Sequence, residues 1–288
     1  MVAITLLAAA CAGPRTHDRT PAVSATAGAE FNSPLVPGGV GLEAHRWLVR
    51  ANLAERAGAL RAYESASVPM SAQQVERWRA CGLRVLAVPI EDLAGVRSAL
   101  RVAPSPERVW LGTPSRWSDL QEGPRSERAR TLATDAGPLT IESGSVRLLV
   151  RAWTRPARVG DDETPAVLRV ELLPQAAARS RPSLLDPPSM PRDMSAGLTM
   201  PRLAAAIESE HDVAILIIPE HAGVDWSGED EGPMSDAAGS LGPPLPEWPT
   251  LGDALFGAWE DARTGREERL AVVLILRVPA RYQLLASP

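Results

Sequence analysis

The densest gathering of chemically capable side chains is Glu208, Glu210, His211, Asp212, Glu220 and His221. Imidazole with carboxylates is the donor set of a zinc site or of a general base. Their spacing argues against a shared centre, because His211 and His221 flank the apolar run 213–218. At about 3.3 Å per residue they stand roughly 30 Å apart along one strand. The pattern therefore reads as polar capping of two strand ends, with no metal and no catalytic residue assigned. Glu229-Asp230-Glu231 is acidic enough to attract calcium, but it lacks the Asp-x-Asp-x-Asp-Gly…Glu spacing of an EF-hand loop and reads as a solvated charge run. The chain has no Gly-x-Ser-x-Gly elbow and no Gly-x-Gly-x-x-Gly turn after a strand. An enzyme using His211 or His221 with neighbouring carboxylates is the alternative this cluster leaves open.

Composition narrows the chemistry further. All 30 residues of the Lys and Arg total are Arg. With no Lys there is no P-loop, no protein-kinase phosphate contact and no Schiff-base chemistry. Two cysteines, Cys11 and Cys81, exclude zinc sites built from several thiolates. The net charge of -5, without a basic cluster, gives no nucleic-acid signature. Nothing in the sequence implies a cofactor. Trp110 and Trp117, flanking Gly112 and Pro114, form a candidate binding surface for a protein partner or a glycan, against the plainer reading of packing between segments.

The elements that would hold these residues fall into two stretches. Residues 1–11 are apolar up to Cys11, and residues 12–43, rich in Pro and Gly with few large apolar side chains, read as a flexible tether. Over 44–120 the order is β-α-α-β-α. Arg46–Arg50 reads as a strand, and Asn52 with Glu55 caps a helix. Ser71 with Gln74 caps a second helix ended at Gly82, and Leu83–Val88 is a strand. A third helix carries Leu93, Val96 and Leu100. Cys81 falls on the apolar face of Trp78 and reads as a buried thiol. From 128 to 282 the pattern changes to alternation. Arg147–Arg155 is a half-buried strand with Arg147, Arg151 and Arg155 on one face, and Ala166–Leu173 is its partner, placing Glu171 to pair with one of those arginines. The runs 213–218 and 270–276, apolar on both faces, are strands covered from both sides. Residues 176–195 and 222–249 read as disordered loops. Asp225, Glu229, Asp230, Glu231, Asp236 and Glu247 in the second outweigh the net charge of the whole chain. The expected fold is α+β: a small α/β unit followed by a mostly antiparallel β-rich segment.

Two resemblances suggest a setting. The apolar run 2–10 ending in Ala8-Ala9-Ala10-Cys11 resembles the signal and lipobox of bacterial exported lipoproteins, which implies acylation at Cys11 and anchorage to a cell-envelope membrane on its periplasmic face. Leu168-Arg169-Val170-Glu171-Leu172-Leu173-Pro174, Thr250-Leu251-Gly252-Asp253-Ala254-Leu255 and Val273-Leu274-Ile275-Leu276-Arg277-Val278-Pro279 resemble the β-domain of bacterial secretins, which implies a protein partner in a secretion-type complex. Together they imply a non-catalytic envelope lipoprotein with a binding or assembly role, a carbohydrate-binding module being a further alternative.

Overall fold

Asn52 and Ser71 each accept from the backbone N–H three residues on, and Glu55 and Gln74 answer with a bond to the cap backbone. These reciprocal bonds satisfy otherwise orphaned donors, so two short helices start where the sequence places them. They are α1 (Leu53–Leu60) and α2 (Ala72–Ala80). A third, α3 (Leu93–Ala99), follows the 3₁₀ turn Ile90–Asp92. Thr250 and Asp253 make the same capping box at α4 (Leu251–Phe256). The computed structural model describes residues 31–157, 165–178, 197–220, 248–260 and 267–282.

Thirteen strands form the β structure of these residues. The inner sheet runs β2 (Leu83–Val88), β11 (Val213–Pro219), β13 (Glu267–Arg277), β1 (Gly41–Val49), β3 (Glu107–Gly112), with β12 (Ala258–Glu260) also on β13. The outer sheet runs β10 (Ala205–Ser209), β8 (Ala166–Ala178), β7 (Gly144–Pro156), β4 (Ser118–Glu122), with the two-residue β9 (Leu198–Thr199) also on β8. A separate hairpin pairs β5 (Arg130–Thr134) with β6 (Gly137–Ile141). Every strand-to-strand pairing is antiparallel. The fold is β-rich α+β, as the alternating patterns imply.

Burial shows three layers. On one face of the inner sheet, Trp47, Val49, Leu86, Val88, Leu216 and Val273 pack with Ala57, Leu60, Leu93 and Val96 of α1 and α3. On the other, Leu42, Val85, Ile215, Val272 and Leu274 pack with Leu148, Val150, Leu168 and Val170 of the outer sheet. The inner sheet is thus covered twice, which is why β11 and β13 are apolar on both faces. Trp78 of α2 enters the inter-sheet core and donates from Nε1 to the Leu203 carbonyl at 2.9 Å. α4 enters the same core with Leu251, Ala254, Leu255 and Phe256, and Arg269 of β13 holds its Asp253 at 2.7 Å.

The inner sheet interleaves strands from both stretches of sequence, since β1, β2 and β3 are joined through β11 and β13. Residues 31–43, read from composition as the last part of the tether, hold Phe31 at 1% exposure in the helical core and the start of β1. Of the loop 176–195, residues 176–178 extend β8 and the rest lies outside the described residues; of 222–249, only Trp248 and Pro249 are described.

Candidate functional site

Alternation along β7 and β8 decides what each face of the outer sheet carries. Val146, Leu148, Val150 and Ala152 point into the core, so Arg147, Arg151, Trp153 and Arg155 point away from it. Register pairs Arg151 with Glu171 and Trp153 with Arg169. The neighbouring edge strand sets Glu208 opposite Arg169. Three elements therefore bring three guanidiniums, two carboxylates and an indole into one patch.

Its bonds form a ladder. Glu171 accepts from Arg151 Nε at 2.7 Å and Nη2 at 2.5 Å, and from Arg169 Nη2 at 2.9 Å. Glu208 accepts from Arg169 Nη1 at 2.7 Å and from Arg155 Nη2. Each carboxylate thus bridges two arginines. Burial pushes the Glu171 carboxyl up, but the bonds from Arg151 and Arg169 hold it below the usual carboxylate range. The bond from Arg155, joined by that from Arg169, does the same for Glu208 against the effect of its burial. The Arg151 guanidinium also lies 4.6 Å from the Trp117 ring centroid and 5.3 Å from that of Trp153, and Arg169 lies 5.6 Å from Trp153. Cation–π contact and paired hydrogen bonds fix the planes of long side chains that would otherwise lose rotamer freedom on binding. The side chains of Arg151, Arg155 and Arg169 remain 37%, 40% and 33% exposed. At the far end of β7, Arg147 is buried, bonded to Gln175 and 3.5 Å from Asp119.

A second polar cluster is sealed. Glu43 and His45 of β1 point into the helical side of the inner sheet with side chains 0% exposed, Nε2 of His45 lying 2.7 Å from Glu43 Oε1. Arg108 of β3 donates to the same oxygen at 2.7 Å, the Leu35 backbone N–H donates to Oε2 at 3.3 Å, and Arg277 of β13 lies 3.8 Å from Oε2. Burial alone would raise this carboxyl. His45, Arg108 and Leu35 outweigh it and lower the value from 4.5 to about 2. Arg277 also donates to the Phe31 carbonyl, and the Phe31 ring stands 5.5 Å from His45 and 6.1 Å from Trp47. The cluster ties Phe31 and Leu35 to the end of the sheet, with the Glu43 and His45 side chains closed to solvent among the described residues.

The residues singled out from sequence are dispersed. His211 is exposed in the turn before β11, where its backbone N–H donates to Ser209 Oγ at 3.3 Å. Asp212 accepts from Val278 N–H at 2.8 Å and lies 3.4 Å from Arg277 Nη1. At the opposite end of β11, Glu220 binds Arg84 at 2.5 Å. His221, Glu229, Asp230 and Glu231 lie outside the described residues, as does Cys11. No three His, Cys, Asp or Glu among the described residues are placed to hold a metal. Cys81 is 0% exposed, accepts from Asp135 N–H at 3.2 Å, and has its thiol pushed up to about 11 by burial. Trp110 lies in β3 of the inner sheet, where its ring leaves no room for a side chain at Gly39, while Trp117 precedes β4 of the outer sheet and sits against Arg151. The two indoles thus occupy different sheets and different neighbours. Two shallow hollows of about 270 and 190 Å³ flank Leu198 between β6 and β9.

Sequence reasoning placed Glu171 against an Arg but did not find Trp153, Arg169 and Glu208 as one patch, nor Glu43 and His45 at all. The signal available for the first was the alternation of 147–155. For the second it was a His two residues from a Glu on a strand of otherwise apolar residues.

No protein-family model, no curated protein and no solved structure matches the chain. The class of protein therefore rests on its fold and surfaces: among the described residues, a three-layer α+β body with a buried ionic clasp and a half-exposed Arg–Trp face.

Proposed function

We propose that the chain is a non-catalytic, lipid-anchored envelope protein with a binding or assembly role, and that its interface is the outward face of β7 and β8. One observation carries the reading: Arg151, Arg155, Arg169, Trp117 and Trp153 are held together, half exposed, in fixed orientations. Arg and Trp are the residues most enriched at the energetic centres of protein interfaces, and side chains ordered in advance lower the entropic cost of association. Two of the eight Trp of the chain stand at this face. The titratable groups most fully buried together, Glu43 and His45, serve the fold. Acylation at Cys11 followed by the tether would leave this face free to meet a partner at the membrane, the secretion-type assembly suggested by the sequence being the class of complex it fits.

The test is native mass. After mild detergent extraction the chain should migrate in a complex well above its own 30.7 kDa. Combined Trp153→Ala and Arg151→Ala should return it to the monomer position without unfolding it. A complex untouched by both substitutions would refute the assigned interface.

A further inference from the structure

The Glu43–His45 cluster is crossed by a piece of chain that is attached differently from the rest of the body. Sheet pairing begins at Gly41, opposite Arg277, and among the described residues no backbone–backbone bond joins residues 31–40 to the body. Side chains hold them instead, from the ends of three strands. Glu43 of β1 accepts from the Leu35 N–H at 3.3 Å, Arg277 of β13 donates to the Phe31 carbonyl, and the Trp110 ring of β3 lies against Gly39. The Phe31 ring, 1% exposed, packs beside His45 and Trp47. Between these points the segment stands off the body. Leu35 and Val36 are 39% and 40% exposed, at a turn closed by the Gly39 N–H on the Val36 carbonyl.

We infer that residues 31–40 are a releasable strap, which lifts from the inner sheet as a unit about Gly41 while the three-layer body stays folded. The opposing terms set it apart from ordinary core packing. Docking buries one ring and makes two bonds to charged side chains, but it orders ten residues. It also leaves Nδ1 of His45, Nε1 of Trp47 and Nε of Arg277 buried and unpartnered. Ordered backbone and unpartnered buried groups both oppose the docked state, and both are relieved when water reaches the cluster. The body loses little by the release. Trp47 and Val49 remain in the core that α1 and α3 cover, and β1 keeps its pairs with β13 and β3. Segments with this balance open below the free energy of global unfolding. Gly41, at φ +129, supplies the backbone freedom that a pivot needs. Release adds up to about 33 Å of chain at about 3.3 Å per residue. On the reading above, on which this role rests, that length lies between the Cys11 anchor and the Arg–Trp face. The strap therefore sets how far the face reaches from the membrane.

The experiment pulls the full, unacylated chain by a handle on Cys11, Cys81 being sealed, against a second handle at Pro288. A first extension of about 20–30 Å at low force should precede cooperative rupture of the body. Native-state hydrogen exchange should show the Leu35 and Gly39 amides opening about a hundredfold faster than those of 270–276, at a rate that mild urea leaves unchanged. Leu35→Pro removes the amide that Glu43 accepts from, at an exposed side chain. It should lower or abolish the first force and speed exchange across 31–39 about tenfold, leaving the rupture of the body as it was. Leu198→Ala, exposed on the outer sheet, should change neither. A single-step extension would overturn the strap, as would exchange of 31–39 that matches 270–276 in rate and in urea dependence. The two readings fail separately: a single step leaves the anchor untouched, whereas membrane association that survives Cys11→Ser removes the effect on reach and leaves the release standing.

Discussion

Replacing Glu43 by Gln keeps the shape of the side chain and removes the charge on which His45, Arg108, Arg277 and the Leu35 amide converge. The size of the effect follows from the carboxyl itself. A value lowered from 4.5 to about 2 in the folded chain corresponds to about 3 kcal/mol of stability at neutral pH. Breaking one member of a buried ion pair costs a similar 3–5 kcal/mol or so. With a urea slope of roughly 3 kcal/mol per M, the unfolding midpoint should fall by about 1 M. The pH dependence has a fixed sign. Because the folded value lies below the unfolded one, the contribution is complete above about 4.5, shrinks as pH falls, and is gone by about 2. The gap between wild type and Glu43→Gln should therefore be full at pH 7 and about half as large at pH 3. Urea titrations of both proteins, read by far-UV circular dichroism at several pH values, measure it directly. A variant as stable as wild type at pH 7, or a gap that does not close on acidification, would refute the reasoning.

Other perturbations probe the remaining layers. Leu274→Ala opens a cavity between the two sheets, where the side chain is 0% exposed, and should cost about 2–5 kcal/mol in denaturant. Gly82 holds φ +74 with its missing Cβ directed at Thr250. Gly82→Ala should lower the thermal midpoint by several degrees, combining backbone strain with a clash at the cap of α4. In a Cys11→Ser background, Cys81 should react with a thiol reagent only as fast as the chain unfolds, since the thiol is sealed and its value is about 11; rapid labelling of the native protein would contradict its place in the core. The same Cys11→Ser change should release the chain from the membrane fraction, and unchanged association would rule out the lipid anchor.

Local structure was legible where one strong local cause sets it. The capping pairs Asn52/Glu55 and Ser71/Gln74 mark the starts of α1 and α2, and the apolar run 83–88 coincides with β2. Alternation in 147–155 and 166–173 gave the faces of β7 and β8 and the Arg151–Glu171 pair, because a period of two leaves no freedom about which side chains share a side. Pairing order was not legible. Whether β1 lies beside β13 or beside β2 depends on contacts more than 200 residues apart, and no local pattern encodes them. The ends of elements were obscured for the same reason. Phe31 stands in a stretch whose composition reads as tether, yet the Trp47 and His45 rings supply it with a partner from β1. Thr250–Phe256 shows too few residues for a helical period, and α4 forms because the inter-sheet core covers it. The Arg–Trp face escaped for a different reason. Glu208 reaches it from β10, and in sequence that residue belongs to the His211 cluster, whose members the fold sends to separate ends of β11.

The central claim, that contact is made through the outward side of β7 and β8, is most directly tested by site-specific photo-crosslinking in intact cells. A crosslinking side chain would be placed at Trp153, at Trp110 on the inner sheet, or at exposed Arg61 beside the helical layer. The account predicts one discrete adduct from position 153, lost when Arg155→Ala is added, and none from positions 110 and 61. An adduct from 110 or 61 with none from 153 would contradict it.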